Sequence, residues 1–241
     1  MAELLCVTLP LFLVGMVLMA IGSRRQPRAV QAQRALKLAV FCVIVHVVLG
    51  VMLFIPRGAF GLALVIVLMG ARELGSAVST LPRMRRVVVL VAAVFIAALF
   101  LLDIWLMAPA TVAFCFLVCA IFDGFCQVVG QWLGQHALMP RISPAKTVEG
   151  LIGGVLASGA LAGALNGLVN LSVAHALVAG GLMAAGAFCG DTAGSWIKRQ
   201  AGIKDFSSIL PGHGGMVDRF SSFVVGSVFV APWLLFNFSA A

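Results

Sequence analysis

The sequence predicts an all-α fold, a polytopic bundle of about eight transmembrane helices. Hydrophobic residues make up 62% of the 241 positions, charged residues only 10%, and the mean hydropathy is +1.14. Soluble domains carry about 25% charged residues, so this chain has too few polar groups to cover its surface in water. The apolar segments are continuous rather than alternating, which favours helices over a β-barrel.

Eight apolar segments are long enough to cross a bilayer, which takes about 20 helical residues. They lie at about 4–22, 36–55, 59–81, 87–107, 109–133, 150–168, 173–194 and 222–239. No long polar stretch remains for a soluble domain, so residues 1–241 are predicted to form a single membrane domain. It divides into N-terminal helices, 1–108, and a C-terminal half, 109–241, that carries the candidate catalytic groups. Because basic residues follow the first segment rather than precede it, we expect a retained helix and not a signal peptide.

The basic residues predict which end of the bundle faces the cytoplasm. If the first helix starts outside, nearly all of them fall on the inner side: Arg24, Arg25, Arg28, Arg34, Lys37, Arg83, Arg85, Arg86, Arg141, Lys146, Lys198, Arg199, Lys204 and Arg219. Only Arg57 and Arg72 lie elsewhere. By the positive-inside rule this face is cytoplasmic, and the net charge of +8 requires no nucleic acid to explain it.

Acidic residues are rarer, with eight in the chain, and five of them belong to two inner-face regions: Asp123, Glu149, Asp191, Asp205 and Asp218. Ionisable groups at membrane depth are costly and usually mark a pathway or a site. A solvated loop with a positive-inside bias would explain the basic residues but not these acids. The acids therefore indicate a functional site.

The segment 190–219 is the more specific region. Asp191 is predicted to close one apolar helix and Asp218 to precede the next, so that both carboxylates face one cytoplasmic loop. Such a pair suits a hard cation such as magnesium, which prefers oxygen ligands. The segment also contributes basic groups for phosphate and glycines that allow close backbone approach: Lys198, Arg199, Lys204, Arg219, Gly212, Gly214 and Gly215.

The segment 141–150 leads into the sixth apolar helix. Ser143 or Thr147 is predicted to cap that helix, and Lys146 beside a helix N-terminus suits an anionic phosphate. A plain capping motif without a ligand is the alternative interpretation.

Residues 195–219 closely resemble the signature of the phosphatidate cytidylyltransferases, also called CDP-diacylglycerol synthases. The elements of that signature stand in register: Ser195, Lys198-Arg199, Lys204-Asp205, Pro211, His213-Gly214-Gly215 and Asp218-Arg219. Residues 123–150, which end in ISPAKTVEG, look like the second marked stretch of the family. The resemblance covers roughly the C-terminal half, and Arg72-Glu73 is the candidate for it in the N-terminal half.

The resemblance implies a nucleotidyltransferase of phospholipid biosynthesis. A phosphatidate oxygen would attack the α-phosphorus of CTP, releasing pyrophosphate and forming CDP-diacylglycerol. It also implies Mg²⁺, as one ion or two, held by Asp191 and Asp218. The expected partners are CTP, phosphatidic acid and membrane lipid; a homodimer is left open and nucleic acid is not expected. The expected location is the bacterial inner membrane, with the active site facing the cytoplasm.

The resemblance also implies roles for individual residues. The candidate catalytic residues are Asp191, Asp218, Lys198, Arg199 and His213. The candidate substrate-binding residues are Ser143, Lys146, Thr147, Glu149, Ser195, Lys204, Arg219, Gly214 and Gly215. Because a phosphate monoester is already anionic near pH 7, His213 is interpreted as a positioning or phosphate-binding group rather than a base.

Two positions depart from the family pattern. Members usually carry an acidic residue where this chain has Gly194, and another where it has Ser221. This leaves open a related CTP-dependent enzyme with another lipid substrate, such as an ether lipid or a polyprenyl alcohol, and also an inactive scaffold. A transporter is a further alternative, but no internal repeat is evident and the polar groups cluster at one face rather than at the midplane.

Overall fold

The computed structural model describes residues 27–209 and 214–239, with three isolated positions before them. The predicted helix at 4–22, apart from those positions, and the candidate residue His213 lie outside the described residues. The described helices are α1 (Arg28–Phe54), α2 (Gly58–Val78), α3 (Arg83–Leu106), α4 (Pro109–Leu133), α5 (Val148–Ala164), α6 (Val173–Ala201) and α7 (Met216–Ser239). A short 3₁₀ helix, Asn166–Val169, links α5 to α6.

The predicted helical membrane fold is confirmed. Five helices, α2, α3, α4, α6 and α7, are long and apolar enough to cross a membrane. The apolar part of α1, Ala39–Phe54, and the whole of α5 are shorter apolar helices. Each of the seven predicted segments within the described residues therefore corresponds to one helix.

Local sequence explains where several helices begin and end. Proline precedes α1 and α3 and occupies the first position of α4, where its missing N–H costs nothing. Ser172 accepts a hydrogen bond from His175 N at 3.3 Å and caps α6. Gly202 ends α6 with a left-handed backbone, φ 69°, the conformation that glycine adopts most easily after a helix.

The sequence did not predict the β-hairpin that connects α4 to α5. Strand β1 (Ala137–Met139) pairs antiparallel with β2 (Ser143–Thr147), with Ala137 opposite Thr147 and Met139 opposite Ser143. Two such short strands, one containing Pro144, carry no alternating apolar pattern by which a strand is recognised. Three of the candidate substrate-binding residues, Ser143, Lys146 and Thr147, therefore lie on a strand.

Helix α4 forms the centre of the bundle, buried almost continuously from Thr111 to Phe122. It packs closely against α5 because glycines line the crossing. A Cβ atom on Gly150 would lie 2.6 Å from the carbonyl oxygen of Cys126, and one on Gly154 would lie 2.3 Å from its Sγ atom. Small residues at helix crossings allow this close approach within a membrane. The crossing fixes the start of α5, and with it the hairpin, against α4.

Aromatic residues mark both ends of the bundle. Trp105 and Trp233 lie near the ends of α3 and α7, while Trp132 and Trp196 lie near the ends of α4 and α6. Arg57, the basic residue predicted on the outer side, stacks 5.5 Å from the centre of the Trp105 ring. Tryptophan is enriched at membrane–water interfaces, so the four residues agree with the predicted spans.

Candidate active site

Polar and charged residues from both halves of the chain meet at one end of the bundle. This end contains the C-terminal ends of α2, α4 and α6, the N-terminal ends of α3, α5 and α7, and the hairpin. Arg85 Nη1 at the start of α3 donates to Gln200 Oε1 near the end of α6 at 2.7 Å. Charged residues of the two candidate regions therefore lie at the same end of the bundle, as predicted.

Lys146 connects the hairpin to α6. Its ammonium lies 2.9 Å from Asp191 Oδ2 and donates to Thr192 Oγ1 at 3.0 Å. The same nitrogen lies 5.1 Å from the centre of the Phe188 ring. Lys146 is largely buried, whereas the Asp191 side chain is 45% exposed. The pair thus joins the two candidate regions and leaves the carboxylate accessible to a ligand.

Asp218 is the most constrained carboxylate of the second region. Lys198 Nζ donates to its Oδ1 at 2.6 Å, while Oδ2 accepts from the backbone N–H groups of Phe206 at 2.8 Å and Gly215 at 2.9 Å. Only 6% of the Asp218 side chain is exposed. A carboxylate in the first turn of a helix caps the N-terminus when it accepts a hydrogen bond from the backbone N–H three residues earlier. Asp218 therefore fixes both the end of α6 and the start of α7.

The expectation that both aspartates lie at helix ends was wrong for Asp191. Helix α6 continues beyond it to Ala201, so Ser195, Lys198 and Arg199 lie on the helix and not in the loop. The hydropathy pattern marks only the membrane-buried part of a helix, whereas good helix formers such as Lys, Arg and Ala extend it into water. The extension is what brings Lys198 to Asp218.

Glu73 of α2 caps α7 from a neighbouring helix. Its Oε1 accepts from Ser207 Oγ at 2.6 Å and Met216 N at 3.0 Å, and its Oε2 accepts from Val217 N at 2.9 Å. The residue is only 5% exposed. A carboxylate at this position satisfies amides that have no partner within the helix and favours the positive end of the helix dipole.

Gly214 and Gly215 fit between these two carboxylates. Gly214 has φ 77°, and a Cβ atom there would lie 2.8 Å from Asp218 Oδ2. A Cβ atom on Gly215 would lie 2.5 Å from both Glu73 carboxylate oxygens. The sequence predicted that these glycines allow close approach to a ligand; the structure shows a close approach to Asp218 and Glu73.

Asp123 is the one acidic residue of α4. Its carboxylate interacts with the Ser222 hydroxyl and is within electrostatic reach of Asp191, Lys146 and Arg219. Arg219 is exposed and lies within reach of further carboxylates on Asp205 and Asp218. Ser222 of α7 thus gives Asp123 a polar partner within the bundle.

The hairpin is attached to its neighbours at its base and near its turn. Thr147 caps α5, as predicted for this position, by accepting from Gly150 N at 3.1 Å. Near the turn, Arg199 Nε donates to the carbonyl oxygen of Ile142 at 3.1 Å. Ser143 is half-buried on β2. Arg199 therefore holds the hairpin in place from α6.

Glu149 holds the base of the hairpin. Its carboxylate accepts from the backbone N–H groups of Gln135 at 3.1 Å and His136 at 3.3 Å, and binds His136 Nδ1 at 2.5 Å. The hydrogen bond from the His136 ring, helped by these amides, lowers the pKa of Glu149 to about 2. The stabilisation is present above the ordinary carboxyl pKa and is lost only as the pH falls towards 2.

The two departures from the family pattern lie opposite each other. A Cβ atom on Gly194 of α6 would lie 3.6 Å from Oγ of Ser221 on α7, and 3.9 Å from the Phe206 ring. Gly194 and Ser221 therefore belong to the same contact between α6 and α7. Lys204 and Asp205, the remaining charged pair of the signature, are exposed on the connection between these helices.

The oxygen donors at this end of the bundle fit a magnesium ion that also binds phosphate. Asp191 offers an accessible carboxylate, with Asp123 within electrostatic reach. In the described part of the chain, no three His, Cys, Asp or Glu side chains come together as a metal cluster. Mg²⁺ usually binds one or two carboxylates and completes its shell with water and substrate phosphates, so the residues suit an ion that binds together with a nucleotide.

Comparison with known proteins defines the class. The cytidylyltransferase family model matches residues 2–236, and the chain belongs to that family. Over 125 residues it is 38% identical to phosphatidate cytidylyltransferases of Staphylococcus saprophyticus and Staphylococcus aureus, covering 51% of this chain and 46% of each relative. It is 42% identical over 106 residues to the uncharacterized protein YnbB of Escherichia coli, covering 43% of this chain and 34% of that protein. The chain thus aligns with half or less of these relatives.

Sequence reasoning gave Glu73, Ser207 and Ser222 no role in the site. Glu73 was noted only as a candidate part of the family resemblance, although a single acid within an otherwise apolar helix is a usable signal. The two serines carry no signal of their own, because their roles depend on which helices become neighbours.

Proposed function

We propose that the protein is a phosphatidate cytidylyltransferase, which converts CTP and phosphatidate into CDP-diacylglycerol and pyrophosphate. The observation that carries the proposal is the Lys146–Asp191 pair. It joins the hairpin to α6 and presents an ammonium and an accessible carboxylate at the basic end of the bundle. The family membership and the names of the staphylococcal relatives support the same reaction.

In the proposed reaction, a phosphatidate phosphate oxygen forms a bond to the α-phosphorus of CTP, and the bond to pyrophosphate breaks. Both reactants are anionic, so alignment and charge neutralisation are the main tasks of the protein. Lys146 and Arg219 bind the phosphates, with Lys198, Arg199 and Lys204 contributing further positive charge. The acyl chains stay in lipid while the headgroup reaches the cytoplasmic face, where CTP is available.

The Mg²⁺ ion belongs to this proposal. Asp191 is the carboxylate best placed to hold it together with CTP. Asp218, whose carboxylate is bound by Lys198 and two backbone amides, would support the ion by holding the end of α6 and the start of α7 in place. Bound there, Mg²⁺ would neutralise charge on the triphosphate and polarise the α-phosphorus.

The test uses purified protein, radiolabelled CTP, Mg²⁺ and phosphatidic acid in mixed micelles. We expect lipid-linked CMP, its loss on addition of EDTA, and its loss in Asp191→Asn. The control is Asp103→Asn, which removes a buried carboxylate of α3 outside the site. Full activity in Asp191→Asn would contradict the site, and product with an ether lipid or polyprenyl phosphate but not with phosphatidate would contradict the substrate. No product with any lipid would favour a scaffold or a transporter.

A further inference from the structure

We infer that Glu73, which belongs to the N-terminal half of the chain, is a positioning residue for the active site. It acts by fixing the first turn of α7, and hence Asp218, against α2. Glu73 acts on the site through Asp218, and its effect on catalysis rests on the proposed function.

Three hydrogen bonds carry the inference. Glu73 binds the amides of Met216 and Val217, which are the first two residues of α7, and also the hydroxyl of Ser207. Helix amides at these positions have no partner within the helix. Both carboxylate oxygens are used, so a rotation or shift of α7 would break several bonds together.

Asp218 extends this connection into the site. It lies two residues after Met216, and it binds the Gly215 amide, the Phe206 amide and Lys198. Glu73 and Asp218 thus share the amides at the start of α7. They also hold adjacent residues of the preceding connection, Ser207 and Phe206. A change at Glu73 releases the same segment that orients Asp218.

The close fit at Gly215 shows that the position of Glu73 is specific. A Cβ atom on Gly215 would come within 2.5 Å of both Glu73 oxygens, so no larger residue fits without displacing the carboxylate. By contrast, Gly70, one turn earlier on α2, would place a Cβ atom 3.5 Å from Val217 Cγ2, an ordinary contact. The α2–α7 interface is therefore tighter at the Glu73 carboxylate than at Gly70.

The experiment compares Glu73→Gln with Glu73→Asp in the full-length protein in nanodiscs. Backbone hydrogen exchange is followed in peptides covering residues 203–218. We expect Glu73→Gln to accelerate exchange there at least tenfold. We also expect it to raise the KM for CTP while changing the melting temperature little. Glu73→Asp keeps the charge at the helix N-terminus and is expected to restore part of the protection.

Two further variants serve as a matched pair. Gly215→Ala displaces the carboxylate without removing it and should reproduce the effect of Glu73→Gln, while Gly70→Ala should not. Asp103→Asn, a buried carboxylate about 30 Å along α3 from Arg83, controls for the general loss of a buried charge.

Unchanged exchange in residues 203–218 of Glu73→Gln would overturn the inference, as would equal acceleration throughout the bundle. Unchanged CTP kinetics despite local acceleration would also overturn it, since Glu73 would then be only structural. If the unmodified protein transfers no CMP to any lipid, the proposed function is contradicted. The exchange pattern would still decide whether Glu73 fixes the start of α7.

Discussion

Lys198 Nζ lies 2.6 Å from Asp218 Oδ1 and thereby joins the last turn of α6 to the first turn of α7. Both side chains are largely buried, with 17% of Lys198 and 6% of Asp218 exposed. A buried pair of this kind is costly to break, because the remaining charge loses its partner. The pair therefore couples the stability of this end of the bundle to the geometry of the site.

Lys198→Met should destabilise the protein by about 2–4 kcal/mol, since Asp218 would keep its two backbone amides but lose its counter-charge. Unfolding by SDS in mixed micelles measures the change. Lys204→Met, which removes an exposed cation from the connection after α6, should cost less than about 1 kcal/mol. Equal losses in the two variants would show that the Lys198–Asp218 pair has no special role.

Lys146→Met should lower CMP transfer by about 10–100-fold, the effect of losing one charge-assisted phosphate contact of about 1.5–3 kcal/mol. Initial rates at varied CTP measure it, and we expect the KM to rise. Arg141→Gln removes an exposed cation at the turn of the same hairpin and should change the rate less than twofold. A similar loss in both variants would indicate a general effect of surface charge.

Gly190→Ala should destabilise the bundle by about 1–3 kcal/mol through overpacking. Its Cβ atom would lie 2.3 Å from the backbone oxygen of Ser221, which cannot move without shifting α7. Gly194→Ala, one turn later and facing the same residue, meets only contacts of 3.6 Å or more and should be nearly neutral. Thermal unfolding of the two variants side by side tests the contact, and a neutral Gly190→Ala would contradict the close helix approach.

Glu149→Gln should loosen the base of the hairpin, because the carboxylate binds two backbone amides and the His136 ring. Losing the charge weakens these three hydrogen bonds, so trypsin should cleave after Arg141 about tenfold faster. Asp205→Asn, an exposed acid of the signature, should leave that rate unchanged. If the unmodified protein and Glu149→Gln are cleaved at the same rate, the Glu149 carboxylate does not stabilise the hairpin and serves only in substrate binding.

Much of the architecture follows from the sequence because it depends on composition and local pattern. The low charge content predicts burial in lipid. Continuous apolar runs predict the existence of each described helix, although α1, α6 and α7 each extend beyond the predicted segment at one end. The charge distribution predicts that Lys146 and Asp191 share one end of the bundle, and the structure brings them to 2.9 Å. Thr147 as a helix cap is likewise a local property, confirmed by its bond to Gly150 N.

Other features could not be predicted because they depend on which helices become neighbours. The hairpin lacks an alternating pattern, and its pairing is fixed by the α4–α5 crossing and by Arg199. Glu73 is far from the signature in sequence, and only the packing of α2 against α7 makes it a cap for Met216 and Val217. The sequence by itself thus determined the membrane fold, the end at which the polar groups cluster and the family pattern. The tertiary structure decided that the Asp191 carboxylate stays accessible and that the Asp218 carboxylate is buried. The hydrogen bonds responsible join distant segments and form only once the helices have packed.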